Sequence, residues 1–285
     1  MPIPATNLIY DVGANDGSDT AFYLKMGYTV IAVEADPALA GRLKIRFAQE
    51  IAAGRVVILN SAVTEKDQEK VSFYVCKDDD KSSLIREKVE MDGGIIDSVE
   101  VPARSLGSLF EEFGSPWYCK IDIEGADARS IAGLKNYAAR PAYISCEGSG
   151  SGIGEIHRDN ELLYLALDAL VSVGYSTFKL VDQESHLILS TGNHYGFLHK
   201  WSTRIMTKLE RWSGQPGIRY NNRRYQLKNR LPAGESSSGA FGEALAGEWI
   251  DYDETKKLLT YHFNDYFIHT QNKQLIFWVD IHAKY

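Results

Sequence analysis

The chain has 285 residues, of which 44% are hydrophobic and 24% charged, and its net charge is −7. This is the composition of a soluble globular protein of one large or two small domains, and its acidity argues against general nucleic-acid binding by the whole chain. No apolar run reaches membrane-spanning length, and the first residues, MPIPATN, show neither the basic region nor the apolar core of a signal peptide, so a cytoplasmic protein without a transmembrane segment is expected. Cys76, Cys119 and Cys146 sit inside strand-like runs without CxxC spacing, which predicts buried, reduced thiols rather than a disulfide or zinc site.

Residues 8–36, LIYDVGANDGSDTAFYLKMGYTVIAVEAD, read as strand, glycine loop, helix and second strand. Each strand ends in a carboxylate, Asp11 on the first and Glu34 on the second. In a doubly wound sheet a ligand sits beyond the carboxyl ends of the strands. The first turn must then bring backbone close to it, which explains Gly13 and Gly17 on either side of Ala14 and Asn15. The dinucleotide fingerprint GxGxxG is absent, because Asn15 and Ser18 stand where two of its glycines belong. A negative Asp11 repels a pyrophosphate and attracts an ammonium or sulfonium. Glu34 is spaced to accept from both ribose hydroxyls. Together these residues favour S-adenosylmethionine over NAD; the plainer alternative is that Asp11 caps the next helix and the glycines only make a turn.

Ser18 or Asp19 can cap the first helix and Gly27 ends it. Asp36 caps a second helix with Pro37 at its first position, and Leu39, Leu43 and Phe47 recur at helical spacing until Gly54. VVILNSAV is a third strand. Its end, Asn60 to Ala62, falls where an adenine would lie, so Ser61 and Ala62, with Ala35 next to Glu34, complete the expected cofactor contacts. From Glu65 to Arg104 the pattern changes to alternating strands, KVSFYVC and IIDSVEVPA, an antiparallel excursion. Its acidic run, Asp78 to Asp80, reads as a solvated turn, since consecutive side chains cannot converge on one ion. Ser82 and Ser83 either reach back to the cofactor or cap a turn.

Ser105 opens another helix, followed by WYCKIDIEGAD. On a strand, Lys120, Asp122 and Glu124 share one face, opposite Cys119, Ile121 and Ile123, and the two carboxylates emerge at the ligand rim. YISCEGSG delivers Glu147 beside them. Three carboxylates at adjacent strand ends need a cation, a shared proton or a basic neighbour, unless each merely caps its turn. Asp122 is the first choice for a general base and Glu124 or Glu147 the second. If the three instead held Mg²⁺, the metal would lower the acceptor's pKa directly; a metal is possible but not favoured.

Asp11-Val-Gly-Ala-Asn-Asp-Gly17, Glu34 and Lys120-Ile-Asp-Ile-Glu-Gly125 resemble the FkbM-type S-adenosylmethionine-dependent methyltransferases. The resemblance covers roughly Leu8 to Glu147, and its most specific element is IDIEG. It implies a class I methyltransferase fold, an α/β Rossmann-like sheet of seven mostly parallel strands, and methyl transfer to a hydroxyl oxygen. It also implies cofactor binding by Asp11 to Gly17 and Glu34, with Asp122 and Glu124 at the reaction centre.

The glycine-rich stretch GSGSGIGEIH lacks the GK[ST] of a phosphate loop and reads as a lid or acceptor-side loop, with His157, a surface histidine or a base, beyond it. NELLYLALDALVSVG is an apolar helix and YSTFKLVD a sixth strand. The closing antiparallel strand is best sought at the C-terminus, in QLIFWVDIHA. The expected layout is therefore a methyltransferase core over 1–193, a cap inserted at 194–269 and the closing strand within 270–285. Residues 200–230 carry nine basic side chains against one acid, Glu210, with Trp201, Trp212, Tyr220 and Tyr225 interleaved. This stretch either binds an anionic partner or pairs with the acidic core. The acceptor is read as a small molecule or glycan. The sequence does not fix the oligomeric state, and a nucleotide-cofactor oxidoreductase and a non-catalytic cofactor-binding module stay open as rivals.

Overall fold

The β-rich apolar runs of the sequence become strands of one large sheet, in a computed structural model that describes residues 5–78, 81–148, 156–183, 187–189, 226–227, 238–269 and 279–285. The chain begins with β1 (Ala5–Val12), α1 (Ser18–Lys25), β2 (Thr29–Glu34), α2 (Pro37–Arg46), α3 (Ala48–Ala52) and β3 (Val56–Asn60). It leaves the sheet through β4 (Ala62–Thr64), β5 (Gln68–Cys76), α4 (Arg86–Asp92) and β6 (Ile95–Ser105), and returns through α5 (Leu106–Phe113), β7 (Pro116–Ile121), α6 (Asp127–Ala132) and β8 (Tyr143–Gly148). There follow α7 (Ile156–Ser172), β9 (Thr177–Asp182), β10 (Leu187–Leu189), β11 (Gln226–Leu227), α8 (Tyr252–His269) and β12 (Val279–Lys284).

The large sheet runs β11-β10-β9-β12-β8-β7-β1-β2-β3, with β1 parallel to both β2 and β7. The strand order reverses at β1, which opens a crevice at the carboxyl ends of β1 and β7. The last strand, β12, is antiparallel to both β8 and β9 and lies between them, as the class I methyltransferase architecture requires. Two short strands without a counterpart in the sequence pattern, β10 and β11, extend the sheet beyond β9, so nine strands are described where seven are expected. The excursion after β3 forms its own small sheet, β4-β6-β5, in which β6 pairs antiparallel with β5 and parallel with β4.

Local chemistry fixes the helix ends. Asp36 Oδ1 accepts from the backbone N–H groups of Ala38 at 2.6 Å and Leu39 at 3.2 Å, and Pro37 follows it. Ser105 accepts from Ser108 N at 3.2 Å. Neither Ser18 nor Asp19 caps α1. The cap is Gly17, left-handed at φ 82°, where a β-carbon would lie 2.6 Å from Leu43 and 2.7 Å from Phe47. The second helix is likewise not continuous to Gly54 but breaks at Phe47 into α2 and α3.

The two faces of the sheet are covered differently. On one, α5, α6 and α7 bury a mainly aliphatic core around Ile121, Ile144, Leu167 and Ile281. On the other, α1 and α2 cover β1 to β3, and residues 238–250 cover β7 and β8. Phe241 from that segment stacks on Tyr118 at 4.6 Å and meets Tyr23 edge-on at 5.2 Å. These residues fall within the stretch expected to cap the rim: Phe241 packs on the sheet, while Ser238 reaches the crevice at the strand ends; residues 200–225 and 228–230 of the basic stretch lie outside the described ones. All three cysteines are buried and free, as expected. Among the described residues, no helix is long and apolar enough to cross a membrane.

Candidate active site

A cavity of about 340 Å³ opens at the carboxyl ends of the parallel strands. Gly13, Ala14, Asn15, Glu34, Ala35, Ser61 and Ala62 line it, and so do Asp122, Glu124 and Glu147. The residues read from the sequence therefore converge, with two exceptions. Gly17 is packed against α2 and shapes the loop from behind. Asp11 is fully buried beneath the cavity, where its Oδ2 accepts from Thr20 Oγ1 at 2.6 Å, so its carboxylate does not face a ligand. Burial pushes its pKa up to about 7 against the pull of Lys120, with the nearby Asp19 adding to the rise.

The first loop is held by close backbone contact. Gly13 N donates to Val33 O at 2.9 Å, and Gly13 has φ 82°. A β-carbon on it would fall 1.8 Å from the Asp122 carbonyl oxygen, so only glycine lets β1 turn beside β7. Glu34 is buried at the end of β2. Its two oxygens accept from Asn15 N and Asp36 N, both at 2.8 Å. Burial raises its pKa and these backbone N–H bonds oppose the rise. Each oxygen keeps a lone pair for a ligand hydroxyl. Next to it, Asn60 Nδ2 donates to Glu34 O at 3.0 Å and Ala35 O at 2.9 Å, fixing the step into Ser61. Phe73, Val63 and Leu84 add an apolar wall.

Across the switch point the chemistry is ionic. Lys120, 5% exposed, puts its ammonium 2.9 Å from Asp19, 3.2 Å from Asp122 and 3.8 Å from Asp11. Burial disfavours its charge, but the three carboxylates outweigh that and hold its pKa well above the ordinary value. Ser238 closes this cluster by donating from its N–H and hydroxyl to Asp19 at 3.2 and 2.8 Å. Strand alternation puts Lys120 on the correct face without giving it a role, and spacing alone makes Asp19 no more than a cap.

The strand pattern extrapolated to Glu124 does not hold, because β7 ends at Ile121 and the chain turns. Asp122 N donates to Val12 O at 2.9 Å, and Glu124 takes a left-handed φ of 54°. That backbone is uncommon for a non-glycine residue. It is held by Ser83 Oγ donating to Glu124 O at 2.9 Å and by Lys88 bonding Glu124 Oε2 at 2.6 Å. Ser83 thus both caps a turn and braces the site, while Ser82 lines the cavity and accepts from Cys76 N at 3.0 Å. Asp122, Glu124 and Glu147 each bring an oxygen within 4.8 Å of the other two. Burial and the neighbouring Asp122 and Glu124 carboxylates push Glu147 well above the usual carboxylate range. Asp127, buried at the start of α6, rises to about 8 for similar reasons. His157 falls in the first turn of α7, and residues 149–155 of the glycine-rich loop lie outside the described ones.

The family model described as the methyltransferase FkbM domain matches residues 11–176. Among solved structures, the FkbM methyltransferase of Methylobacillus flagellatus KT shares 17% identity and a TM-score of 0.42, over 63% of this chain and 41% of that one. The chain thus spans less than half of that relative's length. A methyltransferase of Geobacter sulfurreducens bound to S-adenosyl-L-homocysteine shares 11% identity over 99% of this chain and 85% of its own, with a TM-score of 0.38. One of Thiobacillus denitrificans, with the same ligand, gives 11% over 99% and 86%, with a TM-score of 0.39. No curated protein matches.

Proposed function

Because the chain belongs to the FkbM methyltransferase family, we propose that it uses S-adenosylmethionine to methylate a hydroxyl oxygen of a small-molecule or glycan acceptor. The observation that carries this reading is that one cavity is lined both by the glycine loop with Glu34 and by an ion-paired Asp122. The residues present suit the cofactor. Glu34 offers acceptors to ribose hydroxyls, Ser61 and Ala62 with the apolar wall suit an adenine, and the Gly13 loop lets backbone approach the methionine part. Bound S-adenosylmethionine supplies an electrophilic methyl group.

The chain's own task is to hold the acceptor hydroxyl in line, exclude water and take its proton. Asp122 suits proton removal. Its side chain is 34% exposed, lines the cavity and lies 3.2 Å from the Lys120 ammonium. Glu124 is engaged by Lys88, and Glu147 is the carboxyl most inclined to keep a proton. The test is transfer of labelled methyl from S-adenosylmethionine into fractionated extract, by wild type and Asp122→Asn. Label entering a base-stable ether in the wild type, and falling at least about 100-fold in the variant, is expected. Label entering nitrogen or sulfur sinks the hydroxyl assignment.

The proximity of Asp122, Glu124 and Glu147 favours a second reading, in which they hold Mg²⁺. Chelation with EDTA separates the two, since turnover through Asp122 alone survives it.

A further inference from the structure

Two buried side chains of the cavity have no part in the proton transfer described above. Asp280 on β12 stands opposite Glu147 on β8 in antiparallel register, so both carboxyl groups leave the same face of the sheet. Gln183 follows the last residue of β9, Asp182, whose register partner is Val279, the neighbour of Asp280. Asp280 is 6% exposed and Gln183 5%, and both line the cavity beside Glu147. Among the described residues, no hydrogen bond or ion pair reaches the Asp280 carboxylate, as Lys120 is engaged by Asp11, Asp19 and Asp122. Gln183 Nε2 and Glu147 Oε2 are likewise buried without a partner among those residues.

Buried polar groups in a folded protein are normally satisfied, so orphans facing a cavity point to a ligand that completes them. Here the unmet needs are mixed: one amide donor and two carboxyl acceptors. An ammonium group offers donors alone and leaves the amide unmet. A phosphate or carboxylate meets the amide but adds negative charge where Asp122, Glu124 and Glu147 already bring oxygens within 4.8 Å of one another. A metal ion takes the oxygens and repels the amide N–H. A hydroxyl both donates and accepts, so two neighbouring hydroxyls satisfy all three groups.

We propose that Glu147, Asp280 and Gln183 form the acceptor subsite, and that it takes a neutral polyol, a sugar or sugar-like ring, through adjacent hydroxyls. This rests on the methyltransferase reading and names its acceptor class. Each of two hydroxyls donates to a carboxyl oxygen, and one accepts from Gln183. The hydroxyl presented to Asp122 is the one methylated. Its oxygen forms the new C–O bond as the C–S bond breaks, the electron pair stays on sulfur, and the proton passes to Asp122.

The test is saturation-transfer NMR on the full chain saturated with S-adenosylhomocysteine. The probes are neutral polyols (myo-inositol, methyl glucoside and methyl galactoside), a diamine (cadaverine) and a sugar phosphate (glucose 6-phosphate). Wild type is compared with Gln183→Leu and Asp280→Asn, with S-adenosylhomocysteine affinity within twofold of wild type taken as proof of an intact fold. The expected result is a signal from a neutral polyol that falls at least fivefold in both variants, with none from the diamine or the phosphate. A polyol signal that survives both substitutions, a signal from the diamine or phosphate alone, or no signal from the loaded protein overturns the proposal. Failure of wild type to bind S-adenosylhomocysteine is a different outcome, since it removes the methyltransferase reading beneath it.

Discussion

At the ends of β1 and β2 most polar groups are satisfied within the chain, whereas at the ends of β8, β9 and β12 three buried groups wait for a partner. Glu34 accepts two backbone N–H groups, and Asp11 accepts from Thr20 through Oδ2 while its Oδ1 has only the Lys120 ammonium, 3.8 Å away and without a hydrogen bond. Glu147 Oε2 and Gln183 Nε2 have no such bonds among the described residues. The difference follows from how each half is made. The first half is one continuous stretch, in which loop, strand end and cap are neighbours in sequence and organise one another. The second is assembled from strand ends far apart in the chain, and its polarity is completed from outside. A site that always meets the same nucleoside gains from rigidity before binding, while unmet groups give discrimination among acceptors, because a wrong partner leaves them buried and unpaired.

Between the halves stands Lys120, and removing it is the most severe way to break the contrast. Lys120→Met leaves Asp11, Asp19 and Asp122 without their shared cation. A buried charge stripped of its partner costs about 3–5 kcal/mol. Urea denaturation is expected to show a loss of that size, and adding Asp19→Asn to recover part of it. Gly13→Ala attacks the contact between the halves, since its β-carbon would overlap the Asp122 carbonyl. A loss of about 100-fold in S-adenosylhomocysteine affinity, read by calorimetry, is expected because the loop must move or strain. Glu34→Gln is gentler. It keeps the shape but removes the charge and one pair of acceptor sites, and about a tenfold weaker affinity is expected, with acceptor binding untouched.

The last effect is spread over pH and sharpens the ionic half alone. Asp127 is raised to about 8 in the folded chain, above its ordinary value of 3.8. The folded state therefore holds a proton that the unfolded chain releases. The stability tied to that proton is fully present below the ordinary value and is lost as pH rises through 8. Asp127→Asn should match wild type near the low end of this window and exceed it increasingly as pH rises, by up to about 1.4 kcal/mol per pH unit, as read from denaturation at a series of pH values. A variant less stable at every pH would show that the Asp127 carboxylate is needed for structure.

The same division decides how much of the molecule is legible in its amino-acid sequence. Gly13, Glu34 and the Asp36–Pro37 cap act on residues a few positions away, so their spacing carries their meaning. The strands are legible as apolar runs, and even the delayed β12 is recognisable in VDIHA. Three details of the site depart from the sequence pattern. Asp11 turns inward because Thr20 and Lys120 are nearer than the cavity. Glu124 leaves the strand face because β7 ends at Ile121. Phe241, from the stretch expected to cap the rim, settles on the sheet because it finds the aromatic surface of Tyr118 and Tyr23 there. Asp280 and Gln183 are not legible at all. Each interrupts or ends an ordinary strand, and their neighbourhood exists only because β12 inserts between β8 and β9.

The most direct measurement is calorimetric titration of the intact chain with S-adenosylhomocysteine and, separately, with NAD. The geometry of Glu34 and the Gly13 loop predicts one-to-one binding of S-adenosylhomocysteine, weakened by Glu34→Gln, and no heat from NAD. Saturable binding of NAD with none of S-adenosylhomocysteine would contradict it.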